Sequence, residues 1–439
     1  MTLTLALIII VFLLMVALMV LNKIPALIAL PLMGIFLAIV AGVPLKEIPA
    51  VIEDGLLVFR GAYIPIMIAG IFGAVIKLTG IAENIIRRAV ELAGDKKLAL
   101  ALICLAVTTI CFMGLYGTGA LIMVGMIILP ILISTGIPKI VSAGILLMGC
   151  FMGFAFNPSK WAFFVTLFKL NPNEESLISI AEVSSFAWKF FIIAALISVA
   201  FVVIGVLKKP KMLSWSTNAT ADQKAKYTEY KKLPMISFLA PVIPVILIFV
   251  TKTSQVSWAL LVGIVYAVVT TQYKNWFKGG FKLIASAVYE GIQSVALTTV
   301  LMFGAGILIQ AVRLPQLSEP IGGLISSITP TSAIMFIIIF GVIGPLLTPY
   351  RGPMNPWGMG AAIAALLAAG PLSTPVLLAA FMSYDYIVGI TDATASQVVW
   401  TAGEVDSTPV KVSLGTLPFT WLVCLCSVIL GVLLFPLLK

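Results

Sequence analysis

GPLLTPYRGPMNPWG, residues 344–358, lies inside an apolar segment long enough to enter a bilayer, yet it holds little that a bilayer tolerates. Pro345, Pro349, Pro353 and Pro356 strip donors from the backbone and cannot continue a helix, and Arg351 sets a permanent cation at membrane depth. In hydrocarbon every freed backbone group needs a partner or water, so such a break persists only where protein or an aqueous cavity surrounds it. That makes the stretch the first place to look for a binding site. Arg351 can hold a carboxylate through two parallel hydrogen bonds, or pair with a structural acid. Tyr350, Asn355 and Thr348 share its tip.

The rest of the composition agrees with a bilayer. The chain has 439 residues, of which 61% are hydrophobic and 10% charged, so no soluble globule could hide its apolar surface. The formal charge of +10 comes from short basic clusters between apolar runs, the pattern of topology signals, and no nucleic-acid partner is expected. The five cysteines fall within apolar runs and suggest neither a disulfide framework nor a metal pair. Histidine is absent, which removes the commonest metal ligand and the usual near-neutral proton carrier; proton coupling would fall to carboxylates. With no histidine, no HExxH and no GxSxG, a membrane-embedded enzyme is disfavoured. The apolar run 2–21 reads as a retained first span, not as a cleaved leader.

In chain order, spans at 2–21, 24–43 and 62–77 are followed by the amphipathic IAENIIRRAVELAGDKK, expected along a membrane surface. Residues 98–135 are apolar but interrupted by Gly114-Leu-Tyr-Gly-Thr-Gly119, which reads as a re-entrant hairpin with a glycine-rich tip or as two short spans, either of which returns the chain to the side it left. A span from 140 breaks at Asn157-Pro-Ser-Lys160, and 184–207 crosses again. The basic segment 208–234 divides the chain, and the plan then repeats over 235–439, with a second hairpin at 332–369 and a break near Asp392. A shift of 236 sets Gly55 on Gly291 and Gly70 on Gly306; a shift of 234 sets Tyr116 on Tyr350. The expected fold is an all-α polytopic membrane protein of about ten spans plus two re-entrant helical hairpins. A cytoplasmic 208–234 linker puts 18 of the 27 basic residues inside, both termini outside, and the halves 1–207 and 235–439 in opposite orientations. An inverted-topology repeat follows.

Paired broken segments point to a transporter site. Around the first tip the substrate-binding candidates are Tyr116, Gly117, Thr118 and Gly119: glycines admit close backbone approach, and Thr118 is the tip's best side-chain oxygen. Small residues also serve helix packing, which competes as a reading for the two glycines. At the first break the candidates are Asn157, Ser159 and Lys160, the lysine as a second anion-holding cation or a snorkelling one. At the second, Asp385, Thr391, Asp392 and Thr394 are ion-coupling candidates together with Thr348 of the second tip. Asp392, at the break itself, is the leading coupling residue. A sodium ion near Thr118, Asn157 and Asp392 would suit those oxygens. No cofactor is expected beyond the coupling ion, H+ or Na+.

With the first span leading into IPALIALPLMGIFLAIVAGVPL, the hairpin carrying LYGTG, the NPS break, the basic linker, and TPYRGP and GITDAT in the second half, the chain resembles the ion transporter superfamily, in its gluconate permease and citrate transporter-like branches. The serine-asparagine-threonine tip signature of the dicarboxylate/sodium symporter branch is absent; Tyr116-Gly117-Thr118 stands there, and only Thr118 carries over. The resemblance implies a homodimeric inner-membrane secondary transporter with an elevator-like mobile domain. The expected function is proton- or sodium-coupled symport of a small organic anion. The alternative is a cation/proton antiporter whose intramembrane aspartates bind the ion and whose Arg351 is structural.

Overall fold

A computed structural model describes residues 3–21, 23–93, 96–169, 176–207, 233–251, 255–272, 279–320, 329–349 and 352–439. Tyr350 and Arg351 lie outside the described residues, as do 208–232 of the linker and the basic loop at 274–278.

The described chain is helical. The first half runs α1 (Leu3–Val20), α2 (Ala26–Val40), α3 (Ile48–Leu57), α4 (Arg60–Leu78), α5 (Ile81–Ala93), α6 (Lys97–Phe112), α7 (Thr118–Ser134), α8 (Lys139–Phe154), α9 (Pro158–Leu167) and α10 (Ile180–Leu207). In the second half a 3-10 turn leads into α11 (Ile243–Thr251), followed by α12 (Val256–Gln272) and α13 (Phe281–Arg313). Then come α14 (Ala333–Phe336), α15 (Met359–Ala369), α16 (Thr374–Thr391), α17 (Ser396–Glu404) and α18 (Pro409–Leu434). Among the described residues five helical stretches are long and apolar enough to cross a membrane unaided, and the bent pair α8–α9 makes a sixth if it is one span. The chain is a polytopic membrane protein.

Helix boundaries recur at the offset read from the sequence. Adding 236 to the bounds of α8 and α9 gives 375–390 and 394–403, beside 374–391 and 396–404 for α16 and α17. The same shift takes 48–78, spanned by α3 and α4, to 284–314, which the single helix α13 covers as 281–313. These matched stretches touch each other. Gly55 of α3 packs on the backbone of Ile307, and Gly70 of α4 lies so close to Gly291 that a Cβ at Gly70 would stand 2.6 Å from its carbonyl oxygen. As numbering rises along α3 and α4 it falls along α13, so the matched stretches run antiparallel. Backbone approach of this kind is how small residues replace a hydrophobic driving force between helices in lipid.

The interruptions have local causes. Pro158 disfavours helical geometry at the preceding residue, and Asn157 obliges with φ −74° and ψ 120° while capping α9; α8 and α9 meet at 68°. After α14 the segment Ile337–Ile343 is a π-helical turn, where the Phe340 carbonyl accepts the Tyr384 hydroxyl at 2.7 Å. The amphipathic α5 is covered by protein on its apolar face, with Ile81, Ala82 and Ile86 buried, while Glu83 and Arg87 pair on its polar side at 2.7 Å.

Candidate functional site

The site is assembled at the interruptions. Gly117, at φ +93°, turns the chain into α7 in a conformation that a β-carbon would strain, and a Cβ there would also meet Ser294 Oγ of α13 at 2.9 Å. The first tip is thereby pressed onto α13. Asn157 ties this tip to the first break: its Nδ2 donates to the carbonyls of Phe112 at 3.3 Å and Leu115 at 3.0 Å, and its Oδ1 accepts the Ser159 N–H at 3.0 Å. Ser159 donates to the Pro65 carbonyl at 3.2 Å, fastening α9 to α4.

One turn into α9, Lys160 points into a cavity of about 140 Å³. Cavities near 150 Å³ admit a benzene-sized molecule. Its walls come from both tips, both breaks, α8, α13 and α16: Tyr116, Gly117 and Thr118; Lys160; Cys150, Phe151 and Phe154; Ser294 and Thr298; Asp385; Trp357; Ser396 and Gln397. Lys160 Nζ lies 2.8 Å from each carboxylate oxygen of Asp385, with side-chain exposures of 5% and 8%. Asp385 Oδ1 also accepts the indole N–H of Trp357 at 2.5 Å. The ammonium is caged by aromatic rings, 4.5 Å from the centroid of Trp357, 5.0 Å from Phe154, 5.6 Å from Phe151 and 6.0 Å from Tyr116.

Such a pair is costly to assemble. Each ion loses several kcal/mol of hydration on burial, which mutual attraction returns only when the geometry is good and remaining lone pairs are satisfied. Here both oxygens are engaged and the rings supply cation–π attraction, so the pair is held in a wall that a solute can reach.

The sequence candidates divide into three groups. Tyr116, Gly117, Thr118, Lys160 and Asp385 line the cavity. Gly119, Asn157, Ser159, Thr348, Thr391, Asp392 and Thr394 shape its supports instead. A Cβ at Gly119 would stand 3.5 Å from Ser294 Cβ; Thr348 and Thr391 donate to the carbonyls of Gly344 and Ile387, each at 2.8 Å; Asp392, fully buried, accepts the Thr394 N–H at 2.9 Å and its hydroxyl at 2.6 Å. Asn355, 1% exposed, accepts the Trp357 N–H at 2.9 Å beside the site. Tyr350 and Arg351 fall outside the described residues. Asp385 and Asp392, seven apart, do not share one continuous helix face: α16 ends at Thr391, and Asp392 turns the chain toward α17 with ψ 105°. Sequence reasoning passed over Trp357, Ser294, Thr298 and the phenylalanine cage. Trp357 stood within the quoted stretch, where an indole among prolines was its own signal; the rest carry no local one.

No protein-family model matches the sequence, and no curated protein matches it. Among solved structures, the chain is similar to the YdaH transporter of Alcanivorax borkumensis, at TM-score 0.57 and 14% identity over 89% of each chain. It is also similar to MtrF of Neisseria gonorrhoeae, described with a class of antimetabolite efflux pumps, at TM-score 0.65 and 13% identity over 90% of this chain and 84% of that one. At these identities what the three share is the fold, and both neighbours are transporters.

Proposed function

We propose that this protein is a secondary active transporter for a small organic anion, coupled to protons through the Lys160–Asp385 pair. The observation that carries the reading is that pair, buried, bidentate and lining a cavity where two interrupted helices and two hairpin tips converge. A carboxylate entering the cavity competes with Asp385 for Lys160. With the substrate on Lys160, Asp385 would be a buried carboxylate stripped of its cation, a state that a proton relieves. One anion and one proton therefore enter a neutral site and leave it neutral. Thr118, Ser294, Thr298, Ser396 and Gln397 are placed to orient the remainder of the substrate. In this reading Asp385 takes the coupling role in place of Asp392, which is buried outside the cavity lining and hydrogen-bonded to Thr394.

The recurrence of helix boundaries and the antiparallel crossing of α3 and α4 with α13 support an inverted repeat, and with it alternating access by an elevator-like shift of the tips and breaks against α13. The homodimer, the cytoplasmic linker and an inner-membrane location accompany that reading as expectations. The decisive experiment is uptake of carboxylates into proteoliposomes under an inward proton gradient, with sodium as the comparison. Uptake that follows the proton gradient in the wild type and is lost in Asp385→Asn supports the assignment. Uptake that ignores pH and follows sodium overturns it. The likeness to MtrF favours a second direction for the same chemistry, proton influx exchanging for anion efflux; preloaded vesicles distinguish the two.

A further inference from the structure

Trp357 sits at the end of the second tip, and its contacts fasten that tip to the cavity wall. The indole stacks on Phe163 of α9 at 4.1 Å and 10°, and Phe163 stacks in turn on Phe59 at 5.9 Å, where α3 gives way to α4. Its N–H reaches the same Asp385 oxygen that Lys160 holds. An indole nitrogen only donates, so the strength of this bond is set by the charge on its acceptor: strong to a carboxylate, roughly half as strong to a neutral acid. Two residues earlier, the Asn355 side-chain amide nitrogen is buried and makes no hydrogen bond among the described residues, although its oxygen accepts the Trp357 backbone N–H. A buried donor without a partner disfavours the position it occupies. The tip is thus held at Trp357 against a penalty at Asn355.

We propose that Trp357 is a positioning residue that latches residues 352–358 against the cavity wall while Asp385 is ionised and releases them when Asp385 takes a proton. This rests on the transport reading above and deepens it, by naming how proton binding reaches a moving part. Among the described residues the charged and titratable groups facing Asp385 are Lys160 of α9, Cys150 of α8 and Tyr116 of the first tip, while α13 and α17 present Ser294, Thr298, Ser396 and Gln397. Protonation weakens the Lys160 and Trp357 tethers together, and Asn355 is then free to find an acceptor in the released position.

Hydrogen–deuterium exchange of the full chain in nanodiscs, without substrate, tests the latch through the peptide covering 352–360. The expected wild-type result is protection that falls at least about tenfold as pH is lowered, after correction for intrinsic rates, in line with a lost charge-assisted bond. Asp385→Asn should expose the tip at every pH. Trp357→Phe, which keeps the ring stack and removes the N–H, should do the same, and the double variant should add nothing further. A tip whose protection ignores pH in the wild type overturns the latch, and so do additive effects of the two substitutions, which mark Trp357 as packing alone. Should Trp357→Phe fail to fold, the wild-type pH series with Asp385→Asn still decides. A pH-gated tip without proton-driven carboxylate uptake would sink the function and keep the latch; coupled uptake with a pH-blind tip would do the reverse.

Discussion

The two interrupted helices solve one problem with different chemistry. At the first break, Asn157 is neutral and spends both ends of its amide on the chain, joining α9 to the first tip. At the second, Asp392 is acidic and folds back on Thr394. The charges that reach the cavity come from elsewhere: Lys160 from just past the first break, Asp385 from two turns before the second. Each half therefore supplies one charge of a pair that closes only between halves. Helix boundaries recur between the halves where helices pack, while the charges facing the cavity do not.

Removing one charge should break this arrangement most severely. Lys160→Met leaves Asp385 buried without its cation, and a loss of about 3–5 kcal/mol is expected together with all transport. Lys160→Met combined with Asp385→Asn should regain most of that stability and none of the transport. Thermal unfolding in detergent and uptake in proteoliposomes read the two separately; a double variant as unstable as the single would show that the pair is not the source of the cost.

Next in size come the breaks. Asn157→Ala removes a cap and two bonds to the first tip, for a loss of about 2–3 kcal/mol. Asp392→Asn keeps an oxygen for Thr394, so a loss under about 1 kcal/mol is expected, with the ion dependence of transport intact. Loss of coupling in that variant would return the coupling role to Asp392. Between those two falls Gly70→Ala, whose new Cβ would press on the Gly291 carbonyl; overpacking of about 1–3 kcal/mol should appear as a lowered melting temperature, and Gly403→Ala, where nothing stands within 4 Å, serves as its control.

The smallest effect belongs to Asp406, at the exposed end of α17. A hydrogen bond from the Lys139 ammonium at 2.7 Å holds its carboxyl below the usual carboxylate range. A depressed folded-state value contributes stability above the unfolded value, and that contribution is lost as pH falls through the folded one. The pair is screened by water, so Asp406→Asn should lower the melting temperature slightly at neutral pH and not at all in strong acid.

Much of this architecture was legible because breaks are written locally. Asn157-Pro158 and Gly114–Gly119 announce themselves by residue types that cannot propagate a helix, and the corresponding interruption at Asp392 was found from its place in the second half. Glycines at 55, 70, 291 and 306 were matched by offset, yet nothing in the sequence said that they would meet one another. The pair of Lys160 and Asp385 was illegible for a deeper reason: 225 residues separate them, Lys160 alone reads equally well as an anion-holding cation or a snorkelling lysine, and Asp385 alone reads as an ion-coupling acid or a partner for Arg351. Only packing, which sums many weak preferences, could choose the partner.

At 33 residues and roughly 1.5 Å of rise per residue, α13 is about 50 Å long, against a hydrocarbon core of roughly 30 Å. It also carries Ser294 and Thr298 into the cavity and braces the first tip at Gly117. Helices longer than their bilayer accommodate by tilting, at a cost that scales with the mismatch. A change of acyl-chain length is therefore expected to be felt at the cavity along α13, with no ligand and no change of sequence.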